Sequence, residues 1–509
     1  MRLAFVGYNQ TNELPRLAWC ARIMRKSGEV LVRHGSWVEK GKDFFFEGAW
    51  AGDFELADFR SATICAGSGA KLSEGGIVFV SPTNTLERLH LLALKDELLV
   101  SNSLAFLLVE GRDSYDPAYP FYEADLQSII HGLRNHATFI PTLHGNKVRL
   151  FYHCNLLVRE DLGFEQRPKN APEVFRSYEE YVGFLETGMT SLCRNADAPQ
   201  RKVRYKPLTT ISNGYDSPAC AVLAKVAGCS EAVTFRKARP DYGDVEDSGR
   251  QVAKHLGLQV TEFGRLDYQE ISKFPEAEFL AYGTGGEDVV FASLKDILPG
   301  RVFITGFQGG KVWDRNNPKV SPHIVRGDPS GASLAEFRLR LGFIHAAIPF
   351  FGCVRHPAIH AISISPAMSA WSTGNDYDRP IPRRLVETAG VPRDCFGRRK
   401  KAVSQPFSQP LDEVMREESY RDFQTYSRYL RLLPDGSRLL AFSFFRLLYQ
   451  LNLRIVWRAC KRPRGAWLER LQHPIVPWRY KEPPSVNALT FHWGIEKTMV
   501  RYRADGTKD

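Results

Sequence analysis

The sequence has few of the features that mark a secreted or membrane protein. Its 509 residues include nine cysteines, with no CxxC pair and no Cys/His cluster at zinc spacing. This pattern excludes a disulfide scaffold and predicts reduced thiols. The longest apolar stretch, residues 439–457, is interrupted by Arg446 and Arg454, whereas a membrane-spanning helix needs about 20 nearly uncharged residues. Residues 1–10 contain no apolar run of signal-peptide length, so we expect a cytoplasmic protein with no membrane partner.

The composition is that of an ordinary globular protein. Hydrophobic residues make up 43% of the chain, charged residues 25% and aromatic residues 12%, which excludes disorder and collagen-like repeats. A total of 68 basic against 57 acidic residues gives a net charge of +11. Such a surplus suits anionic partners in general, among them nucleotides, acidic substrates and RNA, and does not choose between them.

Three regions differ in their patterns. Residues 1–165 contain short apolar runs separated by Gly, Pro, Asn and Asp turns, which predict a β-rich domain. A polar, proline-bearing stretch at 165–172 is typical of an interdomain linker. Residues 166–410 alternate between strand and helix patterns, and residues 411–509 are basic and predicted helical.

The alternating region predicts a doubly wound parallel sheet, and hence an α/β fold class. The predicted strands cover residues 208–211, 232–235, 258–263 and 302–305. The helix at 218–225 has Asp216 or Ser217 in position to cap it, and the helix at 247–256 has Asp247 in that position and Gly257 as its stop.

The loop between the first strand and its helix is the most informative segment. It reads Ile-Ser-Asn-Gly-Tyr-Asp-Ser-Pro at residues 211–218. Backbone N–H groups and the helix dipole at such a loop can hold phosphate oxygens. Ser212 and Ser217 can donate hydroxyl hydrogen bonds, Gly214 allows close approach, and Asp216 suits Mg²⁺ bridging the phosphates. The structural alternative is a turn with a good helix cap.

This loop resembles the Ser-Gly-Gly-x-Asp-Ser pyrophosphate loop of the N-type ATP pyrophosphatases, and more narrowly that of the asparagine synthetase family. Ser212, Gly214, Asp216 and Ser217 match, and Asn213 replaces the first glycine. The resemblance implies an ATP site with Mg²⁺ at Asp216. It also places an adenine pocket near Thr234, at the end of the second strand.

A second stretch, residues 302–314, resembles that family's strand followed by Thr/Ser-Gly-Glu-Gly-x-Asp-Glu. Gly306 and Gly309 keep the glycines, but Gly310 stands where the resemblance expects an aspartate metal ligand. Two alternatives follow: Lys311 binds phosphate directly, or Asp314 supplies the second metal ligand. A glycine-rich turn without function is the structural alternative.

A third stretch, residues 378–387 followed by Arg-Arg-Lys-Lys at residues 398–401, resembles the family's late segment, in which a helix is followed by a basic motif. The resemblance implies that Lys400 or Lys401 is catalytic and stabilises developing negative charge; a solvated basic loop is the alternative. Further candidates are weaker. Residues 283–288 are either a substrate-side loop or a turn into a helix at 289–298, and Arg338 and Arg340 are either helix-surface charges or carboxylate anchors.

The first 165 residues resemble, more faintly, the family's glutaminase domain, a sandwich of N-terminal-nucleophile type. The hairpin and helix at 89–108 and the turn at 140–148 carry this resemblance. The family places its nucleophilic cysteine directly after Met1, whereas this chain has Arg at position 2 and its first cysteine at Cys20. We expect a degenerate glutaminase-like domain that does not hydrolyse glutamine.

The function expected is an ATP-dependent amide-forming ligase acting on a small-molecule carboxylate, with the amine taken from ammonia or from the substrate. One alternative is an RNA-modifying enzyme with the same phosphate loop. Its RNA footprint would be the basic residues near the C-terminus: Arg454, Arg458, Lys461, Arg462, Arg464, Trp478 and Arg479. The other alternative is a catalytically silent relative that binds nucleotide. Nucleic acid is the less favoured partner because the CxxC sulfur relay is missing.

Overall fold

A computed structural model describes residues 1–6, 14–25, 27–117, 119, 121–237, 246–272, 274–397, 404–405, 407, 411–431 and 486–503. These residues form a mixed α/β structure with strands in three sheets. The strands are β1 (Arg2–Val6), β2 (Trp19–Met24), β3 (Glu29–His34), β4 (Glu39–Lys40), β5 (Phe44–Trp50), β6 (Cys65–Ser73), β7 (Gly76–Val80), β8 (Leu89–Ala93), β9 (Glu97–Ser101), β10 (Phe139–Pro141), β11 (Lys147–Phe151), β12 (Cys154–Val158), β13 (Phe164–Pro168), β14 (Lys206–Thr210), β15 (Glu231–Phe235), β16 (Gln259–Phe263), β17 (Arg301–Thr305) and β18 (Ile344–Ala347).

Helices pack against strands of both the first and the third sheet. They are α1 (Leu104–Glu110), α2 (Tyr122–Gln127), α3 (Tyr178–Ala196), α4 (Asp216–Val226), α5 (Arg250–Leu256), α6 (Pro275–Leu280), α7 (Gly309–Val312), α8 (Ala335–Leu341), α9 (His356–Ile364), α10 (Pro380–Thr388), α11 (Leu411–Val414), α12 (Glu417–Arg431) and α13 (Val486–Met499).

The first two sheets form a β-sandwich. A seven-stranded sheet in the order β1-β3-β2-β9-β8-β11-β10 faces a six-stranded sheet in the order β13-β12-β7-β6-β5-β4. All pairs are antiparallel except β1 with β3. The apolar core between them includes Trp19, which stacks on Phe79 with ring centroids 5.9 Å apart. Buried and half-buried residues alternate along β3. This is the period of two that a strand shows when one of its faces is turned toward the core.

The predicted linker is wrong in its first part. Residues Phe164–Pro168 form β13, which pairs antiparallel with β12 at the edge of the six-stranded sheet. Exposed charges alternate there, and Arg159 and Arg167 both pair with Glu165. Charged side chains and a terminal proline are tolerated on an edge strand, where one side of the backbone faces water. The polar composition therefore reflects an edge rather than a connection.

The third sheet is wholly parallel, as the alternation of strands and helices predicts. Its order is β16-β15-β14-β17-β18. The middle residues of β14 and most of β17 are buried, with Leu208 and Phe303 nearly inaccessible, as expected for a sheet covered on both faces. The order reverses between β14 and β17, so the following loops diverge to opposite sides and leave a crevice.

Several predicted helix boundaries are wrong. Helix α4 begins at Asp216 with Tyr215 at its N-cap, and the N-cap side chain makes no capping hydrogen bond. Helix α5 begins at Arg250 rather than at residue 247, because isolated bridges between Ser212 and Ser248 and between Lys237 and Glu246 keep the preceding chain extended. Its end at Gly257, with φ of 67°, is as predicted. The predicted helix at 289–298 is a short 3-10 helix over Val289–Leu294.

Arg338 does not lie on a helix surface. Its side chain is 1% exposed and lies between the sandwich and the parallel-sheet region, where Nη1 pairs with Glu47 at 2.7 Å and Nη2 pairs with Glu87. Arg340 pairs with the buried carboxylate of Glu278. Neither guanidinium anchors a substrate, because both complete ion pairs at buried carboxylates.

The described C-terminal residues pack onto the rest of the fold. Tyr502 stacks on Phe106 with centroids 4.8 Å apart, and Tyr115 donates to Glu496 at 2.8 Å. The predicted helical character is confirmed for α12 and α13. The stretch 439–457 and the basic residues 454–479 lie outside the described residues. No helix in the described part of the chain is both long and apolar enough to cross a membrane.

Candidate functional site

A cleft of about 440 Å³ opens at the point where the strand order reverses. Residues from the loops after β14 and β17 line it, among them Ser212 and Lys311. Small-molecule sites in proteins commonly measure about 300–1,000 Å³, and parallel sheets bind ligands at this position. The cleft is therefore the candidate ligand site.

Hydrogen bonds of its own serines stabilise the loop after β14. The hydroxyls of Ser212 and Ser217 lie 2.7 Å apart, and the Gly214 backbone N–H donates to Ser212 Oγ at 3.2 Å. Asn213 points away and donates through Nδ2 to the Glu246 carbonyl at 3.2 Å. The result is a compact turn that places two hydroxyls beside the start of the 11-residue helix α4.

The loop after β17 packs directly against Asp216. A Cβ on Gly306 would lie 2.9 Å from Asp216 Cβ, and one on Gly309 would lie 2.4 Å from Asp216 Cγ. Neither distance leaves room for a side chain. Both glycines are thus required for the two loops to meet, which gives a physical reason for glycine at these positions.

The structure brings most of the predicted site residues together. Those that line the cleft are Ser212, Gly214, Asp216, Ser217, Gly306, Lys311 and Asp314. Gly309 is buried beneath Asp216. The Thr234 side chain is buried and accepts from the Gly249 N–H at 2.8 Å, while its neighbours Val233 and Phe235 line the cleft. Lys400 and Lys401 lie outside the described residues.

Arg379 belongs to the third stretch of the resemblance, but sequence reasoning assigned it no role in this cleft. It precedes helix α10, has a side chain only 4% exposed, and forms an ion pair through Nη1 with Asp216 Oδ2. Its guanidinium lies 4.7 Å from the ring centroid of Tyr377, which packs on Tyr215. Burial lowers the pKa of Arg379, but the charge of Asp216, its hydrogen bond and the neighbouring Tyr377 and Asp314 together outweigh burial, and that pKa is raised. The cation is permanent and fixed in place.

Lys311 and Asp314 lie on the same loop but differ in their contacts. The stem of Lys311 runs over Gly327, where an added Cβ would lie 2.5 Å from Lys311 Cε. Within the described residues, Lys311 Nζ makes no ion pair. Asp314 Oδ1 accepts from the Asn316 backbone N–H at 2.9 Å. The loop thus presents one ammonium to the cleft, and its carboxylate both lines the cleft and accepts a hydrogen bond in a local turn.

The donor set does not fit a divalent-cation site. The described residues contain no group of three or more His, Cys, Asp or Glu side chains placed to hold a metal ion. Asp216 is engaged by Arg379, Asp314 accepts a backbone N–H, and Gly310 offers no side chain. Mg²⁺ takes near-octahedral oxygen ligation, and a guanidinium on the central carboxylate opposes a second cation there.

Acidic side chains also line the cleft. Asp288 accepts from the Gly331 N–H at 2.8 Å and from Ser333 Oγ at 2.6 Å. Burial raises its pKa to about 6. Burial, followed by the charges of Asp288 and Asp328, raises the pKa of the neighbouring Glu287 to about 8. The predicted turn at 283–288 is therefore present and also lines the cleft through Asp288.

The cysteines of the sandwich are not placed to act as nucleophiles. Cys20 is buried, and burial raises its pKa well above the ordinary value. Burial also raises the pKa of both Cys65 and Cys154 to about 12. Arg2 begins β1 with an exposed side chain that pairs with Glu29. Since the thiolate is the reactive form, these three cysteines are inert packing residues.

No protein-family model matches the chain, and no curated protein matches its sequence.

Proposed function

We propose that this protein is an ATP-dependent amide-forming ligase of asparagine synthetase type. A carboxylate oxygen of the substrate attacks the α-phosphorus of ATP, and the bond to the bridging oxygen breaks so that pyrophosphate leaves. An amine then attacks the acyl carbon, AMP leaves with the bonding pair, and the amine loses a proton. The observation that carries the proposal is the meeting of two glycine-bearing loops at the crevice between β14 and β17.

The residues of the first loop suit the phosphate tail. Ser212 and Ser217 hydroxyls stand at the start of α4, where the helix dipole favours an anion. Lys311 faces them from the second loop with an unshared ammonium. Lys400 or Lys401 as the group that stabilises the second transition state stays a prediction, since both lie outside the described residues.

The amine is proposed to be ammonia or an amino group of the substrate. The described cysteines of the sandwich are buried with raised pKa values, which argues against thiolate attack on glutamine. Asp288 and Asp328 also line the cleft. Their negative charge suits an ammonium before it loses its proton.

The test is release of pyrophosphate and AMP from ATP by the purified chain, over a panel of carboxylates with ammonium. We expect Ser217→Ala to slow turnover by about 10- to 100-fold, the effect of losing one donor to developing charge. Ser61→Ala, on an exposed turn of the sandwich, is the matched control and should match the wild type. Full activity in Ser217→Ala, or glutamine-dependent ammonia release, would contradict the proposal.

A catalytically silent nucleotide-binding protein is the second candidate. It is favoured by the ion pair of Asp216 with Arg379 and by Gly310, which together depart from a metal-dependent site. ATP binding without pyrophosphate release over the whole panel would select this candidate. The RNA-modifying alternative depends on residues 454–479, which lie outside the described residues.

A further inference from the structure

Two cationic side chains line the cleft. Arg379 approaches from the start of α10, and Lys311 approaches from the loop after β17. Arg379 Nε is buried and has no hydrogen-bond acceptor in the part of the chain that the structure describes. A guanidinium carries five N–H donors, and only Nη1 is taken by Asp216. The pair of side chains therefore retains donors for a further anion.

Gly310 is the residue that makes room for the guanidinium. A Cβ at this position would lie 2.9 Å from Arg379 Nη2. It is also the position at which the resemblance expects an acidic metal ligand. Position 310 thus carries no carboxylate at the place where Arg379 lies, and the next residue is a lysine. Both differences shift local charge in the positive direction.

We propose that Arg379 and Lys311 hold the phosphate tail of the nucleotide without a divalent cation. This inference rests on the proposed function, since it takes the ligand to be a nucleoside polyphosphate or its pyrophosphate product. Arg379 retains its ion pair with Asp216 through Nη1 and donates its remaining N–H groups to phosphate oxygens. Lys311 supplies a second positive charge. Guanidinium and ammonium groups bind phosphate through charge-assisted hydrogen bonds.

The experiment is calorimetric titration of the full chain with sodium pyrophosphate and with ATP, once in EDTA and once in excess Mg²⁺. We expect equal or tighter binding in EDTA, because Mg²⁺ would compete with the protein cations for the same oxygens. Lys311→Gln and Arg379→Gln should each weaken binding in EDTA by about 10- to 100-fold, the effect of one charge-assisted contact.

Matched controls separate these losses from general effects of charge. Lys319→Gln removes an exposed lysine of the same region, and Arg384→Gln removes an arginine of helix α10 that pairs with Glu179 at 2.7 Å. Neither residue lines the cleft, so both variants should bind as the wild type does. Lys311 has no buried partner to lose, so its variant tests the proposal even if Arg379→Gln fails to fold.

A reversal of cation dependence gives a sharper test. The double variant Arg379→Gln with Gly310→Asp removes the guanidinium, frees the Asp216 carboxylate and adds a second one beside it. Pyrophosphate binding should then require Mg²⁺. Binding of the wild type only in Mg²⁺, or unchanged binding in Lys311→Gln, would overturn the inference and leave the ligase proposal standing. If the wild type bound neither pyrophosphate nor ATP, in EDTA or in Mg²⁺, both the inference and the ligase proposal would be overturned.

Discussion

Replacing Gly309 by alanine tests the packing on which the cleft depends. The added Cβ would lie 2.4 Å from Asp216 Cγ and 2.7 Å from Asp216 Cβ. Asp216 cannot easily move aside, because its backbone begins α4 and its carboxylate is held by Arg379. Gly309 lies outside the left-handed region, so the effect is steric rather than conformational.

The expected loss follows from overpacking of a buried contact. Forcing an extra methyl group into a packed interior costs about 1–3 kcal/mol, and we expect this decrease in the free energy of unfolding by urea. The matched control is Gly183→Ala in helix α3, where the added Cβ meets no atom within 4 Å. Alanine there should raise stability by about 0.5–1 kcal/mol, because glycine is a poor helix former.

Ligand binding supplies the second measurement. Displacing the loop that carries Lys311 from the loop that carries Ser217 should weaken pyrophosphate binding, whereas Gly183→Ala should leave it unchanged. A Gly309→Ala protein with wild-type stability and wild-type pyrophosphate affinity would show that the two loops do not meet in solution, and the proposed site would lose its geometric basis.

Two further predictions concern buried charge. Arg338→Met leaves the carboxylates of Glu47 and Glu87 without their guanidinium and should lower the free energy of unfolding by about 3–5 kcal/mol; a loss below about 1 kcal/mol in urea titrations would mean that water reaches them. The folded chain holds the Glu287 proton up to about pH 8, whereas the ordinary carboxyl releases it near 4.5. Unfolding therefore loses a proton, and stability falls as the pH rises between these values. Glu287→Gln should flatten this dependence in thermal melts, and an unchanged profile would contradict the assignment.

The elements that sequence reasoning predicted correctly are those with a local cause. Strands such as β14 and β17 are short, apolar and bounded by turns, and their alternation with helices favours a parallel sheet. The order of the strands in that sheet then follows from packing, and it places Ser212 and Lys311 on one cleft. Both residues stand in short segments that follow these strands, so the motifs and their spacing could predict that the two residues lie near one another.

The contacts that sequence reasoning missed join distant parts of the chain. Arg379 and Asp216 are 163 residues apart, and Arg338 and Glu47 are 291 apart. An arginine on a helix is usually solvated, so nothing in its neighbourhood distinguishes a buried ion pair from a surface charge. Only the tertiary packing decides which carboxylate it meets, and the assignment of Arg338 to a helix surface was wrong for this reason.

The error at Asp216 is more informative than the others. An aspartate beside a helix start is expected at the N-cap, where its carboxylate would accept a backbone N–H. Here the helix includes Asp216 as its first residue, and the carboxylate pairs with Arg379 across the cleft instead. A residue that departs from the local rule must be compensated by tertiary contacts, and such departures concentrate at functional sites. The failure of the capping prediction therefore supports the same cleft that the glycines of the second loop define, and it does so independently of the resemblance.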